Sequence, residues 1–398
     1  MTMPTVFDYL KWRGDMTFEE TPVSEVDNLI FCLLAYADLE DIVPSDPSAG
    51  GKTVREAAAE YFFRHRNKTD QHLGLILPPA ILTLFRAMAH APRFRDLELT
   101  GYVNDVCVRR DMQFSAFTVR LPKDQLFVAF SGTDDSIVGW REDFCLSFMQ
   151  EIPSQRKATE YLNALPLTPK TKLFIGGHSK GGNLAVWGAT HAEEKVKSAI
   201  RGVYSNDGPG FSRELIHSPA YQSLKGKIHI FVPDDSLVGL LLEHDDQYTV
   251  IKSNRRGILQ HDGLTWEIMG SKFLRAECLS PRGIHTDTVL RRRIDSMTHE
   301  EREHFIRIFF GVIESTGAKT LTDLMDGRGS RAMSLLKALK CMTDEDRKHA
   351  VMLWNKFRGK ENHSIAKALP AVRPPHDGSG RSVYISFPRL SRVIIRIF

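Results

Sequence analysis

Residues Gly177-His178-Ser179-Lys180-Gly181 stand between a short apolar run, Lys172 to Gly176, and a helical pattern, Asn183 to Thr190. A serine flanked in this way by glycines constrains the chain strongly. The backbone must turn sharply from strand to helix, and a side chain at either flanking glycine would crowd that turn. The serine is expected in a strained conformation, with its hydroxyl held out at the head of a sheet. The helix that follows would point its first amides at the same spot, where they can stabilise an anion. Gly182 extends the small-residue run and allows close packing of helix on sheet.

Composition excludes several classes. The 398 residues are 42% hydrophobic and 26% charged, ordinary for a globular protein. The longest uncharged apolar stretch, Leu73 to Phe85, is too short to span a bilayer and contains Pro78 and Pro79. Met1 to Asp15 mixes acidic and basic residues and lacks the apolar core of a signal peptide, so cytoplasmic residence is expected. The five cysteines are scattered and form no C-x-x-C, which argues against a disulfide frame or a zinc site. Net charge is +4. The segment from Pro370 carries Arg373, Arg381, Arg389, Arg392 and Arg396 against Asp377 alone, which accounts for the whole excess. The body is therefore neutral in sum, and no nucleic-acid partner is expected for it.

Four regions follow along the chain. Residues 1–100 read as mainly helical, with Ser24 as N-cap of a buried helix and a second helix over Thr53 to Arg66. Gly50-Gly51-Lys52-Thr53 resembles the end of a phosphate-binding loop, but Asp46 stands where its first glycine belongs and no strand precedes. Residues 101–296 read as the core, with strand signals beginning near Asp105. Its strands are expected at Val106–Val108, Phe114–Leu121, Leu126–Phe130, Lys172–Gly176, Gly202–Asp207 and Lys227–Val232. Gln247–Lys252 and Leu264–Met269 suggest a final pair. Residues 297–369 form helical patterns, and 370–398 read as a flexible basic tail.

Strands alternating with helices predict a mostly parallel sheet covered by helices on both faces, with helical additions at each end. A G-x-S-x-G between strand and helix is the nucleophile elbow of α/β-hydrolases, whose chain order is Ser, then Asp or Glu, then His. Active sites in such sheets lie at the carboxyl ends of the strands. Ser179 is the expected nucleophile. Asp235, after the strand ending at Val232, is the expected acid, with Asp207 in reserve and Asp234 its neighbour. His261, in a loop between the last two expected strands, is the expected base, with His244 and His285 as rivals. The amides of Thr133 and Lys180 are expected to form the oxyanion hole. No metal or organic cofactor is called for.

Phe130-Ser131-Gly132-Thr133, followed by Trp140 and Asp143, resembles the corresponding segment of the class three, fungal-type lipases. The elbow, Gly208-Pro209, Asp235-Ser236-Leu237-Val238 and His261 before Trp266 follow in that family's order. Tyr9 to Asp15 and Gly177 to Asn183 look like a bacterial family of lipase-like proteins of unknown function. This likeness spans roughly residues 7–315 and implies an α/β-hydrolase fold and ester hydrolysis but brings no particular substrate; a small-molecule or lipid ester is the expected partner. Ser131 departs from the arginine usual there, and Lys180 from an apolar residue. Lys180 reads either as a tolerated surface lysine or as a contact for an anionic substrate group. Asp134 to Phe148 stands at the lid position, and Trp140 is a candidate substrate contact; a packed helix is the alternative. Peripheral membrane contact through this segment or the basic tail is a third function class, beside the enzyme and a catalytically silent scaffold. Oligomeric state is not legible.

Overall fold

The computed structural model describes residues 3–66, 80–245, 248–326 and Met352. The chain divides into two compact units, one of residues 1–291 with 320–322 and one of residues 292–319 with those from 323 on. Of the helical patterns expected over 297–369, the part from 327 on, apart from Met352, lies outside the described residues, as does the tail from Pro370.

The first unit opens with α1 (Val6–Arg13) and α2 (Glu25–Leu34). Ser24 does cap α2. Its Oγ accepts from the Asp27 amide at 3.1 Å while Asp27 Oδ2 accepts from the Ser24 amide at 2.8 Å, a capping box. A two-residue strand β1 (Lys52–Thr53) leads into α3 (Val54–Arg64), capped by Thr53, and α4 (Ala80–His90) follows. Next come β2 (Glu98–Cys107), β3 (Met112–Leu121) and β4 (Gln125–Phe130). Sheet structure thus begins at Glu98, earlier than the pattern suggested. Gly101, at φ +65°, sits in a register shift between Thr100 and Val103 that hides the strand's periodicity.

Helices α5 (Ile137–Cys145) and α6 (Pro153–Asn163) precede β5 (Lys172–His178), which runs into α7 (Lys180–His191). After α8 (Glu194–Ala199) come β6 (Ile200–Asn206), the short α9 (Arg213–Ile216) and α10 (Pro219–Leu224), β7 (Ile228–Pro233) and β8 (Thr249–Ile251). The eight strands lie in chain order, antiparallel from β1 to β4 and parallel from β4 to β8.

Alternation along the strands separates two cores. Phe117, Val119, Phe127 and Ala129 face a cluster with α1 to α4. Phe114, Ala116, Val128 and Phe130 face a cluster with α6, α7 and α10. The result is a mostly parallel α/β sheet with helices on both faces.

The expected strand at Leu264–Met269 is broken. Asp262 accepts from the Leu264 amide at 3.0 Å and turns Gly263–Thr265 into a single 3-10 turn. Ile268–Met269 pairs with Lys272–Phe273, and Trp266 makes an isolated antiparallel bridge to Ser253. In the second unit, α12 (His299–Glu314), the helix after α11 (Pro281–Asp295), begins at a Thr298–Glu301 capping box.

Candidate active site

The two motif glycines are sterically compelled. A Cβ on Gly177 would lie 2.0 Å from the Gly181 carbonyl oxygen, and one on Gly181 would lie 2.2 Å from that of Phe130. Between them, Ser179 adopts φ +58°, a sparsely populated conformation for a residue with a side chain. Hydrogen bonds hold it there: its amide donates to Asn206 O at 3.0 Å, and its carbonyl accepts from Gly182 at 2.9 Å.

Register decides what surrounds the serine. Phe130 pairs with Gly177, and His178 pairs with Asn206. Continuing that register brings Gly132 to one side of Ser179 and Asp207 to the other. A Cβ on Gly132 would stand 3.0 Å from Ser179 Cβ and 2.6 Å from the His178 carbonyl.

His261 Nδ1 lies 2.6 Å from Asp207 Oδ2. Both residues are buried. Asp207, itself at φ +52°, receives two further donors on Oδ1, Ser236 Oγ at 2.6 Å and the Gly239 amide at 3.1 Å. A carboxylate only accepts, so His261 carries its proton on Nδ1 and keeps the Nε2 lone pair.

Asp235, the expected acid, is elsewhere. Its Oδ2 accepts from the Gly257 amide at 2.7 Å, and its own amide donates to Gln260 Oε1 at 2.8 Å. Asp234 accepts from Gln260 Nε2 at 2.9 Å. These aspartates tie down the turn that carries His261 instead of touching the imidazole. The sequence does not tell which aspartate meets the imidazole, because Asp235 and Asp207 both follow strands. Of the two strands they follow, β6 adjoins the elbow strand and β7 is one place further out. His244 is turned to the Gly239 carbonyl, and His285 is exposed on α11.

The second residue of the motif, His178, braces His261. His178 Nε2 lies 2.7 Å from the His261 carbonyl, which can only accept. Nε2 therefore carries the proton, and Tyr36 OH donates to Nδ1 at 2.8 Å. Burial first, and the neighbouring His261 second, hold the His178 pKa well below the ordinary histidine value of 6.5. The unfolded chain then takes up this proton before the folded one as pH falls. The stabilisation is complete above the unfolded value and drains as pH drops below 6.5 towards the folded one. Urea midpoints measured from about pH 7 down to about pH 5 should fall less steeply for His178→Gln than for the wild type. Equal slopes would remove His178 as the cause.

Lys180 is neither at the surface nor free to meet a substrate. It is 1% exposed, and its Nζ donates to Gln113 O at 2.9 Å, Gln113 Oε1 at 2.6 Å and Glu142 Oε2 at 3.0 Å. Burial opposes its charge, but the Glu142 and Asp143 carboxylates outweigh that and raise its pKa above the usual lysine value. Trp140 is buried within α5. That helix is pinned by Glu142, which accepts from the Gln113 and Ser154 amides at 3.0 and 2.9 Å. Asp134 to Phe148 therefore contains the packed helix, and the Lys180 ammonium and the Trp140 side chain are buried among protein groups. Thr133 Oγ1 is bonded to Asp143 Oδ2, which fixes the loop after β4 beside the elbow.

Among the described residues no three His, Cys, Asp or Glu side chains gather as a metal site, and no helix is long and apolar enough to cross a membrane. The family pattern described as Mbeg1-like matches residues 88–311, more than half the chain, and includes Ser179, Asp207 and His261. The chain belongs to the Mbeg1-like family. No curated protein matches it by sequence. Among solved structures, this Mbeg1-like chain is similar to the native Rhizomucor miehei lipase propeptide complex, at 19% identity and a TM-score of 0.34. That match covers 51% of this chain and 67% of the other. It is also similar to M37 lipase, at 15% identity and a TM-score of 0.33, over 53% and 68% of the two chains.

Proposed function

We propose that this Mbeg1-like protein is a serine ester hydrolase of the α/β-hydrolase type, with Ser179, His261 and Asp207 as its triad. The observation that carries this reading is the 2.6 Å bond from His261 to Asp207, on the strand end next to the strained serine. His261 Nε2 takes the Ser179 proton as the hydroxyl attacks the ester carbonyl. The tetrahedral oxyanion is held by the Thr133 and Lys180 amides. His261 then protonates the leaving alkoxide, and water attacks the acyl-serine by the reverse steps. Each step uses only side chains and backbone amides of the protein and water.

A fluorophosphonate probe should label Ser179 of the folded protein and leave Ser179→Ala unlabelled, read by intact mass. A folded wild type that stays unlabelled would leave the chain as a hydrolase-like scaffold without turnover.

A further inference from the structure

The oxyanion hole joins two separate pieces of chain, the first turn of α7 and the loop after β4. A buried cluster connects them. The Lys180 ammonium has three acceptors, two of them on Gln113 of β3 and one on Glu142 of α5. Gln113 Nε2 in turn faces the Gly132 carbonyl at 3.4 Å. From α5, Asp143 lies 3.9 Å from the ammonium by one oxygen and takes the Thr133 hydroxyl on the other. Two routes therefore run from Lys180 Nζ to the 132–133 loop, while the amide of Lys180 is itself one expected oxyanion donor.

The buried charges are costly, because ions leave water only at a large penalty. Lys180 and Glu142 side chains are 1% and 0% exposed, and an apolar pair would fill the same space. We propose that Lys180 is a positioning residue: its buried ammonium sets the spacing between the Lys180 and Thr133 amides, so that both reach the oxyanion. This rests on the ester-hydrolase reading above. An ammonium bonded at once to β3 and α5 allows little play, whereas apolar contact would let α7 slide against the loop. Donors must lie within hydrogen-bond distance of the oxyanion and not merely near it.

The test is the charge-balanced double variant Lys180→Met/Glu142→Gln, assayed with p-nitrophenyl butyrate. Misplacing one donor should lower kcat about 10- to 100-fold with KM within about twofold of wild type. Phosphonate inactivation of Ser179, which passes through a similar oxyanion, should slow in parallel. Gln113→Met keeps the Lys180–Glu142 ion pair and the bond to the Gln113 carbonyl but removes the Oε1 acceptor of the ammonium and unties Gly132, so it stands in if the double variant does not fold; about a tenfold loss in kcat is expected. A folded double variant with lowered Tm but wild-type kcat would reduce Lys180 to a structural part and overturn the proposal alone. A folded wild type with neither turnover nor labelling would overturn the hydrolase reading and this proposal together.

Discussion

Replacing Asp207 by asparagine should lower kcat/KM for an ester substrate by about 10⁴-fold, the scale of a triad whose imidazole is held in the wrong tautomer. The surroundings of the side chain determine this outcome. Ser236 Oγ and the Gly239 amide both lie against Oδ1, and the amide can only donate. Gly239 also donates to Ser236 Oγ at 3.0 Å, but an amide nitrogen facing it would meet an N–H, so the favoured asparagine turns its carbonyl oxygen towards Gly239 and its NH₂ towards His261 Nδ1. The imidazole is then forced to accept at Nδ1 and to carry its proton on Nε2, where the Ser179 hydroxyl needs a base. Asp235→Asn gives the control. Its amide oxygen still accepts from Gly257, so the turn holds and the loss should be no more than about tenfold. Steady-state kinetics on the two variants decide between the acids. A larger loss for Asp235→Asn would return the role to that residue.

The strands' carboxyl ends were legible because glycine sterics and period-two alternation are local. Gly177, Ser179 and Gly181 could be read from five residues, and Ser24 as a cap from its place just before the apolar run Leu29 to Leu34. The acid was not legible in the same way. Asp207 and Asp235 each follow a strand, and what separates them is lateral strand order, which the chain does not spell out. Lys180 was misread for a related reason. A lysine on the first turn of a helix looks solvated, since the dipole opposes it there. Its partner Glu142 lies 38 residues away on another helix, and nothing in either segment announces the pairing. The brace from His178 to the His261 carbonyl was missed because its acceptor is backbone, which carries no sequence signal.

Arg93→Met should lower the free energy of unfolding by about 3–5 kcal/mol, the usual result of removing one partner from a buried ion pair. Arg93 and Asp27 side chains are both wholly buried. The guanidinium gives Nε to Asp27 Oδ1 at 2.8 Å and Nη2 to Asp27 Oδ2 at 2.6 Å and to Pro22 O at 3.0 Å. Nη1 serves Met16 O at 2.8 Å and Thr21 Oγ1 at 2.7 Å, and the group lies 3.9 Å above the Phe18 ring. Methionine keeps much of the bulk but strands the loop acceptors at 16, 21 and 22, and leaves Asp27 with only Tyr9 OH and the Ser24 amide as polar partners from outside α2. Lysine has one nitrogen and cannot fork, so Arg93→Lys should recover less than half of the loss. The damage should also reach the site. Asn28, the next residue of α2, exchanges hydrogen bonds with Asn206 at 2.9 and 3.2 Å, and Asn206 directly precedes Asp207. Urea unfolding gives the stability, and turnover per folded molecule gives the coupling. A midpoint within about 1 kcal/mol of wild type would mean that the N-terminal segment is held by its apolar contacts alone. If stability falls while turnover at low temperature holds, α2 supports the sheet without setting the position of Asp207.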